Sequence, residues 1–330
     1  MLPLRHLDHR PELTRAVLAA WSDDAPASLD RFRISANAVV PVELDGRTCY
    51  LRYAPAAEKP RAQVEAEVAF VEHLRARGYP AARPLPARNG DPVVEVATPW
   101  GPHVATLFEG VPGTQLGRLT LDDAVAASYG AALGGLHVAA ADYRPPGEPR
   151  RSHDDALDWA ERTLVGLGDR SPAVPAIAAL RRRWADRPRT GPGYALVHYD
   201  FELDNVFFDA SDGRCWAIDF DDTMRHWLGM DVERALASLR EEAPAEALAG
   251  LRGAFLRGYA TRHPLEPAFE AREPEYRRFA ELYGYARVAH ALAEDVPDPP
   301  EWMTRLRGYL SERQRGLAAG FGQGLPVAGA

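Results

Sequence analysis

The chain has 330 residues, a formal net charge of −8, 46% hydrophobic and 26% charged residues, the profile of a globular protein large enough for one big core or two smaller ones. That profile excludes a disordered, collagen-like or disulfide-stapled chain, and the acidic excess argues against nucleic-acid binding, which draws on surplus basic charge. Of the 39 basic residues only Lys59 is a lysine, so a step that ordinarily uses lysine must here use Lys59 or an arginine.

Residues 4–22 read as an amphipathic helix whose scattered charges do not suit a signal peptide. No apolar run reaches bilayer-spanning length, so no membrane contact and a cytoplasmic protein are expected. From Arg31 to about Tyr53 the period shifts to that of a hairpin turning at Leu44-Asp45-Gly46-Arg47. A Pro-bounded linker holding Lys59 follows. Val64, Val68, Val71 and Leu74 then recur at helical spacing, and Gly78 supplies the stop. PLPARNGDPVVEV and PHVATLFEG read as further strands around an Asn-Gly turn, completing a five-strand, one-helix unit that ends near Phe108.

From Thr120 the pattern is helical, broken by the Pro/Arg-rich loop YRPPGEPRRS and by a strand island, YALVHYDFELDNVFFDASDGRCWAIDFDD, with an Asp-Gly turn inside it. Helices resume at DVERALASLREEA and run to about Glu312, and the terminal GxGxG, which follows no strand and opens no helix, reads as a frayed end. Cys49 and Cys215 read as two separate buried thiols.

The strand island gathers His198, Asp200, Asn205, Asp219, Asp221 and Asp222 within 25 positions. A hairpin with Val197 on one arm and Ile218 on the other would bring Asp200, Asn205 and Asp219 to one end. Clustered carboxylates repel, and an oxygen-and-amide donor set without His or Cys suits Mg²⁺, which completes its shell with substrate phosphates. The residues therefore point to phosphoryl transfer.

The spacing H-x-D-x-x-x-x-N at His198 to Asn205, followed 14 residues on by Ile218-Asp219-Phe220-Asp221, resembles the catalytic loop and metal strand of the aminoglycoside phosphotransferase and choline kinase family, small-molecule kinases related to protein kinases. The run from Asp204 to Trp227 is most similar to its homoserine kinase type II and stress-response kinase branch. The resemblance implies an α+β, bilobal, protein-kinase-like fold. Residues 1–108 would form an N-terminal nucleotide-binding lobe of antiparallel sheet and helix, and residues 109–330 a helical catalytic and acceptor-binding lobe. It implies ATP, or GTP, and Mg²⁺, with Asp200 as catalytic base and Asn205 and Asp219 on the metal. His198 would brace the loop, and Asp231 would cap its helix and brace the same loop. Asp221 and Asp222 would touch metal or substrate, or lie on a solvated turn.

For the nucleotide, the resemblance places a basic residue on the third strand, here Arg52 where the family's usual residue is lysine. Lys59, in its linker, lacks a strand to fix its direction. At about 100° per residue Glu67 falls within the apolar helix stripe while Glu65 and Glu72 point away, so Glu67 is the expected partner of Arg52. Ser35 and Asn37, on a glycine-free turn, would neighbour the phosphates, and adenine would lie near Leu107, Phe108 and Glu109, bonded to backbone.

Only eleven residues separate Asp219 from Asp231, too few for the activation segment of a protein kinase, so a small-molecule hydroxyl acceptor is expected. Glu202, Asp204, Asp222 and Glu241 would favour a cationic sugar or amino alcohol, and Trp227, His226, Tyr283 and Tyr285 would line the site or fill core. A monomer or homodimer is expected. Two alternatives stand: a Ser/Thr protein kinase of the stress-response type, and a nucleotide-binding pseudokinase suggested by Arg52.

Overall fold

A computed structural model describes residues 10–23, 33–34, 37–145 and 150–323. Its N-terminal part is an antiparallel sheet of six strands: β1 (Arg33–Ile34), β2 (Ala38–Leu44), β3 (Arg47–Pro55), β4 (Pro84–Leu85), β5 (Val93–Thr98) and β6 (Gly101–Glu109). Their order is β1-β2-β3-β6-β4, and β5 also pairs with β6. The two dipeptide strands β1 and β4 raise the count above the five expected. Asp45 and Gly46 both have positive φ, 51° and 71°, the two-residue turn that matches strand twist and sets the register Leu44 opposite Arg47.

Two helices cover the sheet. Helix α1 (Pro11–Leu18) packs Leu13, Val17 and Leu18 against Val40, Leu51 and Leu107. It ends before the expected residue 22, and Trp21 beyond it turns inward and donates from Nε1 to Leu85 O at 3.1 Å. Helix α2 (Arg61–Ala76) lays Val64 and Val68 on Val93 and Val104. Strand alternation therefore sends Leu51 and Tyr53 toward α1 and Arg52 toward α2.

The remainder is mainly helical. Strand β7 (Thr114–Gln115) precedes α3 (Asp123–Ala140), α4 (His153–Gly166) and α5 (Ala173–Trp184). Four short strands follow, β8 (Tyr194–Val197), β9 (Val206–Asp209), β10 (Arg214–Ala217) and β11 (Met224–Trp227). The chain closes with α6 (Gly229–Glu242), α7 (Leu248–Ala260), α8 (Phe269–Leu292) and α9 (Glu301–Gly320). The last helix continues past Glu312, because Leu317, Ala318 and Ala319 are good helix formers and Phe321 anchors it on Tyr285 with ring centroids 5.2 Å apart. Ser152 and Asp155 form a reciprocal capping box at the start of α4.

The strand island pairs differently from the hairpin expected. β9 pairs with β10 across the Asp212-Gly213 turn, whereas β8 pairs with β11, Val197 opposite Met224. Val197 and Ile218 are not on two arms of one hairpin. The 198–205 and 218–221 segments still meet, because Ile218 N donates to Asn205 O at 3.0 Å. Cys49 and Cys215 are both free and buried.

Helices α3 and α7 cross in direct backbone contact: a Cβ on Gly130 would stand 1.9 Å from Phe255 O, and one on Gly258 1.9 Å from Ala127 O. Gly258→Ala should therefore cost about 3 kcal/mol by overpacking, while Gly316→Ala, with open space at that Cβ, should be neutral or gain up to about 1 kcal/mol from helix propensity. Denaturant titration of the two variants measures both.

Behind the short strands, His153 and His226 are fully buried, with ring centroids 5.1 Å apart, among Trp184, Tyr194 and Trp227. Burial pushes His153 down to about 4, and burial, His153 and Arg187 hold His226 well below the usual histidine range. The unfolded chain takes up protons near pH 6.5 and the folded one does not, so stability should fall as pH drops from 6.5 toward 4. For His153 the loss at pH 4 is on the order of 3 kcal/mol, and thermal melts of wild type against His153→Asn should show the shallower acid slope in the variant.

Candidate active site

The segment from His198 to Asn205 leaves β8 at the boundary between sheet and helices, and one buried carboxylate holds its start. Asp231 is fully buried and accepts from His198 N at 2.8 Å, Tyr199 N at 2.6 Å and His137 Nε2 at 3.1 Å. Tyr199 takes the left-handed conformation (φ 68°), a strain that this double grip sustains. Asp231 does not cap its helix: it lies inside the first turn of α6, and its oxygens are turned to the loop. Further along, Tyr129 OH donates to Phe201 O at 2.6 Å and stacks on the Phe201 ring, and Leu203 N donates to Ser238 Oγ at 3.0 Å. His198 points Nε2 at Ile218 O, 3.0 Å away, bracing the residue before Asp219 against the loop.

Asp200 and Asn205 face a cleft of about 870 Å³ together with Asp219, Arg52, Glu67, Phe108 and Glu109. Arg52 holds two of these at once, Nη2 to Glu67 Oε2 at 2.5 Å and Nη1 to Asp219 Oδ1 at 3.2 Å. The planar fork of arginine makes that division possible, and its guanidinium sits 5.1 Å from the centre of the Phe108 ring. Asn205 Nδ2 donates to Asp200 O at 2.9 Å and Asp200 Oδ2 at 3.0 Å, which leaves the amide oxygen as the donor available to a cation.

Burial raises the Asp219 carboxyl to about 7, with Asp221, Glu67 and Asp200 adding to the rise and Arg52 opposing it. Burial and then Asp222 likewise raise Asp200, against Arg234 and Arg287. Among the described residues no three His, Cys, Asp or Glu side chains converge as a metal cage. An amide oxygen and a carboxylate that Arg52 offsets only in part, on one cleft, make a fitting partial shell for a hard divalent ion that completes its coordination elsewhere.

Several expected site residues lie elsewhere. Trp227 is core: it packs on His153, Trp184 and Tyr194 and donates to Pro188 O at 2.8 Å. His226 belongs to the same aromatic core. Tyr283 is buried against Tyr199 and Phe279, does not line the cleft, and receives Arg151 and Arg287 over its ring. Tyr285 donates to Asp169 at 2.7 Å, away from the cleft.

Asp222 is ion-paired with Arg151 at 2.8 Å and Arg287 at 2.6 Å, which hold its carboxyl down to about 2 despite burial. Glu202 lines the cleft but pairs with Arg234, and Glu241 is exposed outside it. Of the acids expected to attract a cationic acceptor, Glu202 and Asp222 are thus offset by arginines, while Asp204 lines the cleft. Asn37 is buried and bonded to Lys59 and Asp221, not turned into the cleft, and Ser35 lies outside the described residues. Glu109 lines the cleft, pairs with Arg47 at 2.7 Å, and its N–H is taken by Arg83 O, so it has no amide to offer a base.

Three contributors were given no role in the sequence analysis, His137, Arg234 and Arg150, and a fourth, Lys59, was weighed there and set aside for Arg52. Arg150 donates to the carbonyls of Phe220, Asp221 and Thr223 and also to Gln63 O on α2. Of these only Lys59 carried a sequence signal, as the one lysine of the chain.

A model of the phosphotransferase enzyme family (APH) matches residues 7–268. Homoserine kinase of Xanthobacter autotrophicus is 28% identical over 268 residues, covering 76% of this chain and 80% of that protein. Amicoumacin kinase of Bacillus subtilis is 23% identical over 259 residues, 76% of each. Among solved structures, amicoumacin kinase hAmiN, in complex with AMP-PNP, Ca²⁺ and Ami, superposes with a TM-score of 0.74 at 17% identity over 96% of this chain and 95% of that one. A microcompartment-associated aminopropanol kinase superposes at 0.70 and 22% identity over 96% and 100%. These two superpositions share the protein-kinase-like fold. No helix among the described residues is long and apolar enough to cross a membrane.

Asp231→Ala would leave His137 and two main-chain N–H groups without an acceptor in the core. The variant should lose about 3 kcal/mol of stability, and at a temperature where it remains folded, exchange of the His198 and Tyr199 amides should accelerate in hydrogen-exchange mass spectrometry.

Proposed function

Because the chain belongs to the phosphotransferase enzyme family, an enzyme family of small-molecule kinases with alcohol acceptors, we propose that it moves the γ-phosphate of ATP to a hydroxyl of a small metabolite or antibiotic. The observation that carries this reading is the convergence of Asp200, Asn205 and Asp219 with the Arg52–Glu67 pair on one cleft. Relatives that phosphorylate homoserine and amicoumacin support a hydroxylated acceptor of that size.

Asp200 accepts the proton of the acceptor hydroxyl, whose oxygen attacks the γ-phosphorus as the bond to the β-phosphate oxygen breaks and ADP leaves. A raised carboxyl pKa suits that task, since the proton moves to a stronger base while Asn205 steadies the same carboxylate. Arg52 offers its fixed positive charge near the phosphates and is itself oriented by Glu67. Val39, Pro41, Tyr50, Phe108, Phe207 and Ile218 give the cleft apolar surface for the purine base. Asn205 and Asp219 would hold Mg²⁺, which supplies charge neutralisation to the transferring phosphoryl group.

The test is ATP turnover with Mg²⁺ across homoserine, amino alcohols, amino sugars and aminoglycosides. One class should stimulate ADP release together with formation of its phosphate ester, EDTA should abolish it, and Asp200→Asn should lower the rate by about 10²–10⁴-fold with nucleotide binding retained. Transfer to protein in place of every small alcohol, or stimulated turnover undiminished in Asp200→Asn, overturns the reading.

A further inference from the structure

Against 38 arginines the chain keeps one lysine, and that lysine is buried. Lys59 lies between β3 and α2, just before Pro60. Its Nζ is ion-paired with Asp221 and donates to Asn37 Oδ1 at 2.8 Å, while Asn37 Nδ2 donates to Asp221 Oδ2 at 3.2 Å. Three side chains thus close a ring of hydrogen bonds. Asn37 sits at the entry to β2 in the sheet, and Asp221 lies two residues beyond Asp219, on the turn after β10. None of the three lines the cleft.

The site selects for lysine on physical grounds. An ammonium is a compact point charge with three rotatable donors, able to serve two acceptors at one small corner, whereas a guanidinium is longer and planar and presents a fixed fork. At this corner the one ammonium meets both acceptors, Asp221 and Asn37 Oδ1.

We propose that Lys59 is a positioning residue: by tying Asp221 to Asn37, it fixes the turn that carries Asp219 to the sheet and so sets how Asp219 presents its carboxylate to a nucleotide-bound divalent cation. The inference rests on the phosphotransfer reading above. Arg150 holds the same turn by its carbonyls, and Arg52 holds Asp219 itself. Lys59 is the one of the three cations whose hold is on the side chain of Asp221 and on the corner of β2.

The test uses Lys59→Met, Asp221→Asn and the double variant, which removes both charges and so avoids leaving one buried and unpaired. Mg²⁺ is titrated against binding of a fluorescent ATP analogue. Each single variant should raise the Mg²⁺ concentration for half-maximal binding by about 10-fold or more, the usual cost of losing a residue that orients a metal ligand, and the double variant should be no worse than either. A Mg²⁺ midpoint equal to wild type in Lys59→Met, or in the double variant where the single does not fold, overturns the proposal, as do fully additive effects. A purely structural lysine would lower the melting temperature and leave the midpoint alone. Acetylation by a succinimidyl ester, read by peptide mapping at the one lysine, judges the tie without nucleotide. Asp221→Asn should accelerate it, and equal rates overturn the tie. Failure of wild type to bind the analogue with Mg²⁺ instead overturns the phosphotransfer reading.

Discussion

A carboxylate sealed away from water must be met by donors, and the way Asp231 is met organises the active centre. Two of its three donors are consecutive main-chain N–H groups, so its demand for hydrogen bonds becomes a demand on backbone geometry at His198 and Tyr199. That geometry is the left-handed turn from which Asp200 projects. The third donor, His137, comes from α3, whose close crossing with α7 leaves no room for adjustment, and His137 Nδ1 is within 2.8 Å of Tyr259 OH on α7. The position of Asp200 is therefore inherited from helix packing some distance from the cleft.

On the opposite wall the constraint is charge. Glu67, Asp219 and Asp221 stand close enough to repel, and three cations of different shape divide the compensation. Arg52 bridges two of the carboxylates, Lys59 takes the third, and Arg150 binds the carbonyls around it. Asp219 keeps a raised pKa even so, which is the residual deficit that a divalent ion can fill. Arginine is the better residue where two acceptors lie apart and lysine where they crowd one corner.

What could be read from sequence followed locality. The H-x-D-x-x-x-x-N spacing and the Asp219 strand are short-range patterns, and the cleft brings their residues together. Glu67 was reachable because helix periodicity alone decides which glutamate faces inward, and Arg52 because the resemblance places a basic residue on the third strand. The Asp-Gly turns were legible for the same reason. The pairing of β8 with β11 was not, since Ile218 and Met224 are both plausible partners for Val197 and tertiary context alone chooses between them. Trp227 and Tyr283 carried no sign of whether they would line a cleft or fill a core, because an aromatic ring serves either. The partners that neutralise Glu202 and Asp222 sit 32 to 71 residues away in the chain, at Arg234, Arg287 and Arg151, beyond the reach of any local pattern.

The stretch between Asp219 and Asp231 is occupied throughout. β11 is paired with β8, Arg225 N donates to Arg151 O, Thr223 Oγ1 is bonded to Phe220 O, and Leu228 N to Gly193 O. In protein kinases the corresponding stretch is ordered by phosphorylation, and that ordering is the switch. Here the order is built in by a strand pair and a salt-bridged turn, so the turn beyond Asp219 is held without a phosphate group.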